Sequence, residues 1–280
     1  MRTLRKGLLS LGMAALVYAM PATAQQKEVK LGWKLGAQAY SFNRFTLAEA
    51  LDKLDSCGLQ YVECYPGQKI GGGIEGTMDF KMDAAKQKQV LDLLKSKKKT
   101  LVAFGVVSGR SEEDWKQLFE FAKAMGIKII TSEPRVQDLD IVSRLADEYK
   151  IKVAIHDHPK PSHYWHPDSV LAAIKGRSKY LGACADIGHW VRSGLDPVEC
   201  MKMLDGRIYS MHFKDLNEKS PRAHDVIWGT GVSNVEGVLK EMKAQKFQGM
   251  ISAEYEHNWL NSVPEITESV KNVRAMIEKL

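Results

Sequence analysis

Two patterns of hydrophobic positions alternate along the chain. Short apolar runs recur, and each is followed by a longer stretch in which apolar residues return every three or four positions. The runs predict eight strands, at residues 35–40, 60–64, 100–107, 127–132, 152–156, 181–186, 208–212 and 249–254. The stretches between them read as amphipathic helices, most clearly over residues 111–125, where Trp115, Leu118, Phe119 and Ala122 form one stripe. Helix starts are marked by the capping-box spacings Thr46/Glu49, Ser233/Glu236 and Ser262/Glu265, in which hydroxyl and carboxylate satisfy orphan amides reciprocally. Asp196-Pro197-Val198-Glu199 adds a cap, a first-turn proline and a first-turn acid. Gly58 and Gly126 follow periodic runs as stop signals.

Strands and helices in strict alternation, with no Pro- or Ser-rich linker, predict a single (β/α)8 TIM barrel over residues 25–280. A doubly wound open sheet would normally carry a glycine-rich nucleotide turn. The one glycine cluster, Gly71-Gly72-Gly73, lacks that pattern and reads as a mobile loop over the barrel mouth.

Composition changes the picture at the amino terminus. Arg2, Arg5 and Lys6 precede an apolar run from Leu8 to Met20, and Ala22-Thr23-Ala24 supplies small residues for a peptidase. The run is shorter than a membrane span needs, so residues 1–24 are expected to be a signal peptide and the mature protein periplasmic, without a membrane anchor. Removing the segment lowers the net charge from +6 to +3, too mild to argue for nucleic acid. Cys57, Cys64, Cys184 and Cys200 show no metal-type spacing and are expected to be buried free thiols.

Polar residues collect where the strands end, which in this fold is where chemistry sits. Strand two ends at Glu63 and strand four at Glu133; strand five ends in His156-Asp157-His158 and strand six in Asp186 with His189 beyond it. Strand seven ends in His212-Phe213-Lys214-Asp215 and strand eight in Glu254-Tyr255-Glu256. All eight histidines fall after residue 150. Strand parity puts His156, Asp186, His212 and Glu254 on the inward face, where they would converge on one divalent ion. Mixed nitrogen and oxygen ligation suits Mn, Zn, Co or Mg better than Ca.

The strand-end motifs IHDHP, ADIGHW, MHFKD and AEYEHN, with SCGLQYVECYPG before strand two, resemble those of the xylose-isomerase-like barrels, often labelled sugar phosphate isomerase/epimerase-like. The resemblance runs from about Leu35 to the carboxyl terminus. It implies that Asp186, His212 and Glu254 are metal ligands and that His156 stands where relatives more often have Glu. That departure leaves open whether Glu133 joins the shell. It further implies His158 as acid or base, Lys214 as a residue touching substrate oxygens, and Glu63 as a carboxylate lining the sugar pocket. His189, Trp190, His224 and Glu256, near strand ends or in the long loop after strand seven, are expected to contact substrate.

An ion gripping a carbonyl and its neighbouring hydroxyl acidifies the C–H between them, and His158 or Glu133 would take the proton while Lys214 stabilises the oxyanion. An exported enzyme is expected to meet free or glycosidic keto-sugars rather than sugar phosphates. The expected activity is therefore elimination or water addition beside a keto group, with isomerisation or epimerisation as the alternative. A nuclease and a non-catalytic sugar binder are the rivals from other classes. The partner is a small sugar, and a homo-oligomer is compatible with the sequence.

Overall fold

In the computed structural model, which describes residues 27–280, all eight predicted strands form and pair in parallel. The expected signal peptide lies outside the described residues. The strands are β1 (Trp33–Gln38), β2 (Tyr61–Cys64), β3 (Thr100–Phe104), β4 (Ile129–Ser132), β5 (Lys152–His156), β6 (Leu181–Asp186), β7 (Ile208–Phe213) and β8 (Gly249–Ala253). Each neighbours the next, and β1 pairs with both β2 and β8, which closes the barrel. Around it run α1 (Leu47–Ser56), α2 (Ala84–Ser96), α3 (Glu112–Ala124), α4 (Leu139–Tyr149), α5 (Pro167–Ile174), α6 (Ile187–Arg192), α7 (Pro197–Met203), α8 (Val235–Ala244) and α9 (Val263–Lys279). This is a single (β/α)8 barrel. Among the described residues, no helix is long and apolar enough to cross a membrane.

Local signals explain most of the boundaries. Thr46 and Glu49 make both bonds of a capping box, and the Asp196 carboxylate accepts the amides of Val198 and Glu199. Trp115, Leu118, Phe119 and Ala122 are buried as one stripe of α3. The four cysteines are free and buried. Strand β1 ends two residues before the predicted boundary because Ala39–Phe42 winds into a 3-10 turn capped by the Gln38 side chain.

Three expectations are corrected. Ser233 does not cap α8: its hydroxyl accepts the Leu216 amide at 3.2 Å, and Asn234 caps the helix through the Gly237 amide. Ser262 donates instead to the Ser41 carbonyl at 3.2 Å, a tertiary partner that outcompetes the local cap. Gly71-Gly72-Gly73 is no loop over the mouth but the turn of a hairpin, Lys69–Gly71 with Ile74–Thr77. Its positive φ angles of 61° at Gly72 and 83° at Gly73 are those a two-residue hairpin turn requires.

The long connection after β7 is held by one residue. Asp215 is buried; its Oδ2 accepts the amides of Gly229 and Gly231, and its Oδ1 accepts those of Leu216 and Ser233. This ties the short antiparallel ribbon Asp215–Leu216/Asp225–Val226 to the barrel top. Because each stranded buried amide costs about 1–3 kcal/mol, Asp215→Ala is expected to lower stability by about 2–5 kcal/mol. The reading is a lower urea midpoint at unchanged slope.

Candidate metal centre and active-site cavity

Parity along the strands brings the expected donors together. Ala154, Cys184, Ser210 and Ser252 fill the barrel interior, and two residues on, His156, Asp186, His212 and Glu254 form the next layer at its carboxyl end. All four are buried, and one ligand atom from each lies within 4.8 Å of the other three. His156 Nε2 stands 3.6 Å from Asp186 Oδ2, and His212 Nδ1 stands 4.0 Å from Asp186 Oδ2 and 2.9 Å from Glu254 Oε2. Asp186 is fixed from its other side, since its Oδ1 caps α6 by accepting the His189 amide.

These residues fit a divalent ion. His156 Nε2 and His212 Nδ1 are buried and make no aligned hydrogen bond although the Asp186 and Glu254 carboxylates stand beside them, an arrangement that is costly unless an ion is coordinated between them. Nitrogen and carboxylate donors at such spacing suit an ion bound at about 2.1 Å. Charge agrees. Lys214 is fully buried with its Nζ 2.7 Å from both Asp186 Oδ2 and Glu254 Oε2 and 3.0 Å from Glu256 Oε2. Arg192 Nη1 also lies 3.1 Å from Glu256 Oε2, so three carboxylates meet two fixed cations and a net negative charge is left for a bound cation to cancel.

Each imidazole of the candidate donor set has a carboxylate behind it. His212 Nε2 lies 3.1 Å from Glu63 Oε2, and His156 Nδ1 lies 3.1 Å from Glu133 Oε1. Such carboxylate–histidine pairs orient a ligand ring and raise its basicity. Glu63 is itself held by Thr131 Oγ1 at 2.6 Å and Ser252 Oγ at 2.7 Å. With no exposure and every near donor in the protein, Glu63 lies under the centre rather than on the wall of a sugar pocket. That corrects the expectation for it. Glu133 Oε1 also binds His158 Nδ1, so it bridges the two imidazoles.

Electrostatics follow from this packing. Burial opposes ionisation of Glu133, but hydrogen bonds and charge from His156 and His158 prevail and hold it at about 2. Asp186 and Glu254 are likewise held well below the usual range, against burial, by surrounding positive charge. Burial disfavours charged His156 and His212, yet carboxylates raise both: Asp186 and Glu133 for His156, Glu254 and Glu63 for His212. Lys214 is raised well above its ordinary value against the same penalty, chiefly by Asp186 and Glu254. His189 behaves oppositely, since burial pushes it well below the histidine range. Arg192 Nη1 donates to His189 Nδ1 at 3.1 Å, and arginine cannot accept, so His189 carries its proton on Nε2.

Above the centre opens a cavity of about 290 Å3. His158, His189, Glu254 and Glu256 form its polar side; Tyr40, Tyr65, Pro66 and Val106 face them, with Gln38 and Gly105 between. The aromatic side came without a sequence signal, because Tyr40 and Tyr65 sit in turns that periodicity does not orient. Trp259 packs edge-on against Tyr40, its ring centroid 5.6 Å away. Three expected contacts fall elsewhere. Trp190 is buried in the hydrophobic core, on the inner face of α6. His224 is exposed and pairs its ring with His257 at 4.6 Å, outside the cavity. Lys214 lies behind Glu254 and Glu256, where its carboxylate contacts keep it off the wall. Gly188 makes room for it: a Cβ there would come within 2.7 Å of Lys214 Cβ.

Comparison with known proteins agrees with this architecture. The profile of the xylose isomerase-like TIM barrel family matches residues 51–279, and the chain belongs to that family. It is 36% identical to an uncharacterized protein from Parabacteroides distasonis, with 86% of this chain and 97% of that one covered and a TM-score of 0.71. Two more distant structures share the fold. One is a 3-keto-D-glucoside 4-epimerase from E. coli, 14% identical, covering 87% and 99% of the two chains at a TM-score of 0.64. The other is described as the probable 3-DHS dehydratase involved in petrobactin synthesis from Bacillus anthracis, 16% identical, covering 85% and 97% at 0.66. No curated protein matches the chain by sequence.

The donor set yields a test. Purified protein is expected to hold about one equivalent of divalent ion by elemental analysis, and Asp186→Ala to hold none. Glu63→Gln should weaken affinity about 10–100-fold while leaving stoichiometry intact. The raised pKa values of His156 and His212 mean that protons compete with the ion. Affinity should therefore fall as pH drops below their folded values and recover as it rises, with proton release on binding measurable by calorimetry in two buffers.

Proposed function

We propose that the protein is a divalent-metal-dependent enzyme that removes a proton beside the carbonyl of a keto-sugar or keto-glycoside, leading to elimination or water addition. The observation that carries this reading is the pairing of His158 with Glu133 on the cavity wall, directly beside the ligand His156. When bound, the ion would be held by His156, Asp186, His212 and Glu254 and would supply Lewis acidity to a substrate carbonyl and its neighbouring hydroxyl.

The chain's own residues supply the rest. His158 Nδ1 is taken by Glu133, which leaves Nε2 as the nitrogen free to accept a proton from substrate. Glu133 serves as an orienting group and not as the base, since its Oε1 already bridges two rings. His189, neutral and protonated at Nε2, stands on the same wall as His158 with that nitrogen 3.5 Å from Asp186 Oδ2, and is a hydrogen-bond donor for a substrate oxygen at the edge of the centre. Lys214 keeps Glu254 and Glu256 in place from behind. The facing wall of Tyr40, Tyr65 and Pro66 suits the apolar face of a pyranose ring.

Elimination is favoured over two-base epimerisation because His158 and His189 stack on one wall, 5.3 Å apart between ring centroids, so proton removal and hydrogen bonding to a departing oxygen act from the same side, while the facing wall of Tyr40, Tyr65, Pro66 and Val106 carries no second base. Epimerisation remains the second reading, supported by the shared fold with a 3-keto-D-glucoside 4-epimerase. We further propose that residues 1–24 export the protein to the periplasm, which favours free or glycosidic substrates over phosphorylated ones.

Incubation with 3-keto-glucosides in deuterated water separates the readings. The proposal expects release of the aglycone to leave an unsaturated keto-sugar or the product of its hydration; deuterium entering the sugar with the aglycone retained and no water gained would replace it with epimerisation. His158→Ala is expected to lower kcat about 10²–10⁴-fold with metal content unchanged. Amino-terminal sequencing of protein recovered from the periplasm should begin at Gln25.

A further inference from the structure

At the opposite end of the barrel, where the strands begin, a second cavity of about 240 Å3 opens between the chain segments that lead into β1, β4, β5 and β8. Its floor is apolar, made by Val102, Ile129 and Met250. Its rim carries four lysines, Lys34, Lys128, Lys150 and Lys152. Some lysines elsewhere stand beside carboxylates, as in Lys97–Asp52, Lys99–Asp55, Lys202–Glu199 and Lys240–Glu236, and others are single charges in solvent; what sets these four apart is that they share one concave rim. Among the described residues, none of the four rim lysines has an ion-pair partner.

Gathering like charges around a concave, partly apolar surface is unfavourable, because the low-dielectric wall weakens screening between them. Lys152 feels this most: burial first, and the charge of Lys34 second, push its ammonium below the ordinary lysine range. Aromatic rings offset part of the cost. Lys152 Nζ lies 4.5 Å from the centroid of Tyr209, and Lys150 Nζ lies 5.6 Å from that of Tyr180. Ring faces attract a cation without neutralising it, so the excess of positive charge stays. Nothing in the proposed reaction uses this end of the barrel.

We propose that this cavity is a binding site for a small organic anion, with its apolar body on Val102, Ile129 and Met250 and its oxyanion among Lys34, Lys128 and Lys152. A ligand that binds only the folded barrel there would stabilise it, by linkage, in proportion to its occupancy.

Phenyl phosphate tests both halves of the site. Titrated into the full protein by calorimetry at constant ionic strength, it is expected to saturate at one equivalent and to raise Tm. Inorganic phosphate, lacking the apolar body, should bind several-fold more weakly. The double variant Lys34→Gln/Lys152→Gln should weaken phenyl phosphate about tenfold or more while retaining the metal content of the parent protein. Lys128→Gln, at an exposed position, should weaken it in the same direction and serves if the double variant does not fold. Asp186→Ala, which disables the metal centre, should leave binding unchanged. No saturation up to about 10 mM, a weakness at which affinity is under ~3 kcal/mol, would overturn the proposal. So would binding that survives the lysine substitutions, or binding lost in Asp186→Ala.

Discussion

Lys214 sits with no solvent exposure between Asp186, Glu254 and Glu256. Buried carboxylates of this kind are tolerated only when positive charge meets them in the interior, since moving an ion out of water costs several kcal/mol even after relaxation. The ammonium satisfies part of that demand and fixes where the carboxylates point. What it leaves over is a local excess of negative charge facing two buried imidazole nitrogens that make no aligned hydrogen bond. The candidate metal centre, the polar wall of the cavity and the Asp186 cap of α6 are built around this balance. Gly188 belongs to it as well, because its missing side chain is the space through which the Lys214 stem reaches inward.

The two imidazoles are held in the same way from opposite sides. Glu63 stands behind His212 and Glu133 behind His156, so each ring offers its other nitrogen to the centre. Glu63 reaches this position through bonds to Thr131 on β4 and Ser252 near the end of β8, and it therefore braces the barrel across its width. Glu133 does more than brace, since the same oxygen holds His158 on the cavity wall. The positions of His156 and His158 thus depend on one carboxylate. A substitution there would loosen both imidazoles together, while one at Glu63 would loosen His212 alone.

Opposite ends of the barrel have opposite electrostatic character. The carboxyl end concentrates carboxylates and imidazoles around a cavity half polar and half aromatic. The amino end gathers unpaired lysines around an apolar floor. A mild overall charge conceals this polarity, which is created by where strands start and stop and not by composition.

Periodicity alone determined the barrel, because strand and helix patterns are local and eight alternations have few other ways to close. Strand parity likewise placed His156, Asp186, His212 and Glu254 in one layer, since a side chain two residues along a strand must return to the same face. Tertiary structure decided what stands behind and around those four. Glu63 and His212 are 149 positions apart, and no local rule says that their side chains meet. Trp190 turned into the core, His224 turned out to solvent, and Ser233 and Ser262 left their helices for distant backbone groups. In each case a contact across the fold outweighed a preference of the neighbouring chain, and such contacts come into existence only once the barrel has closed.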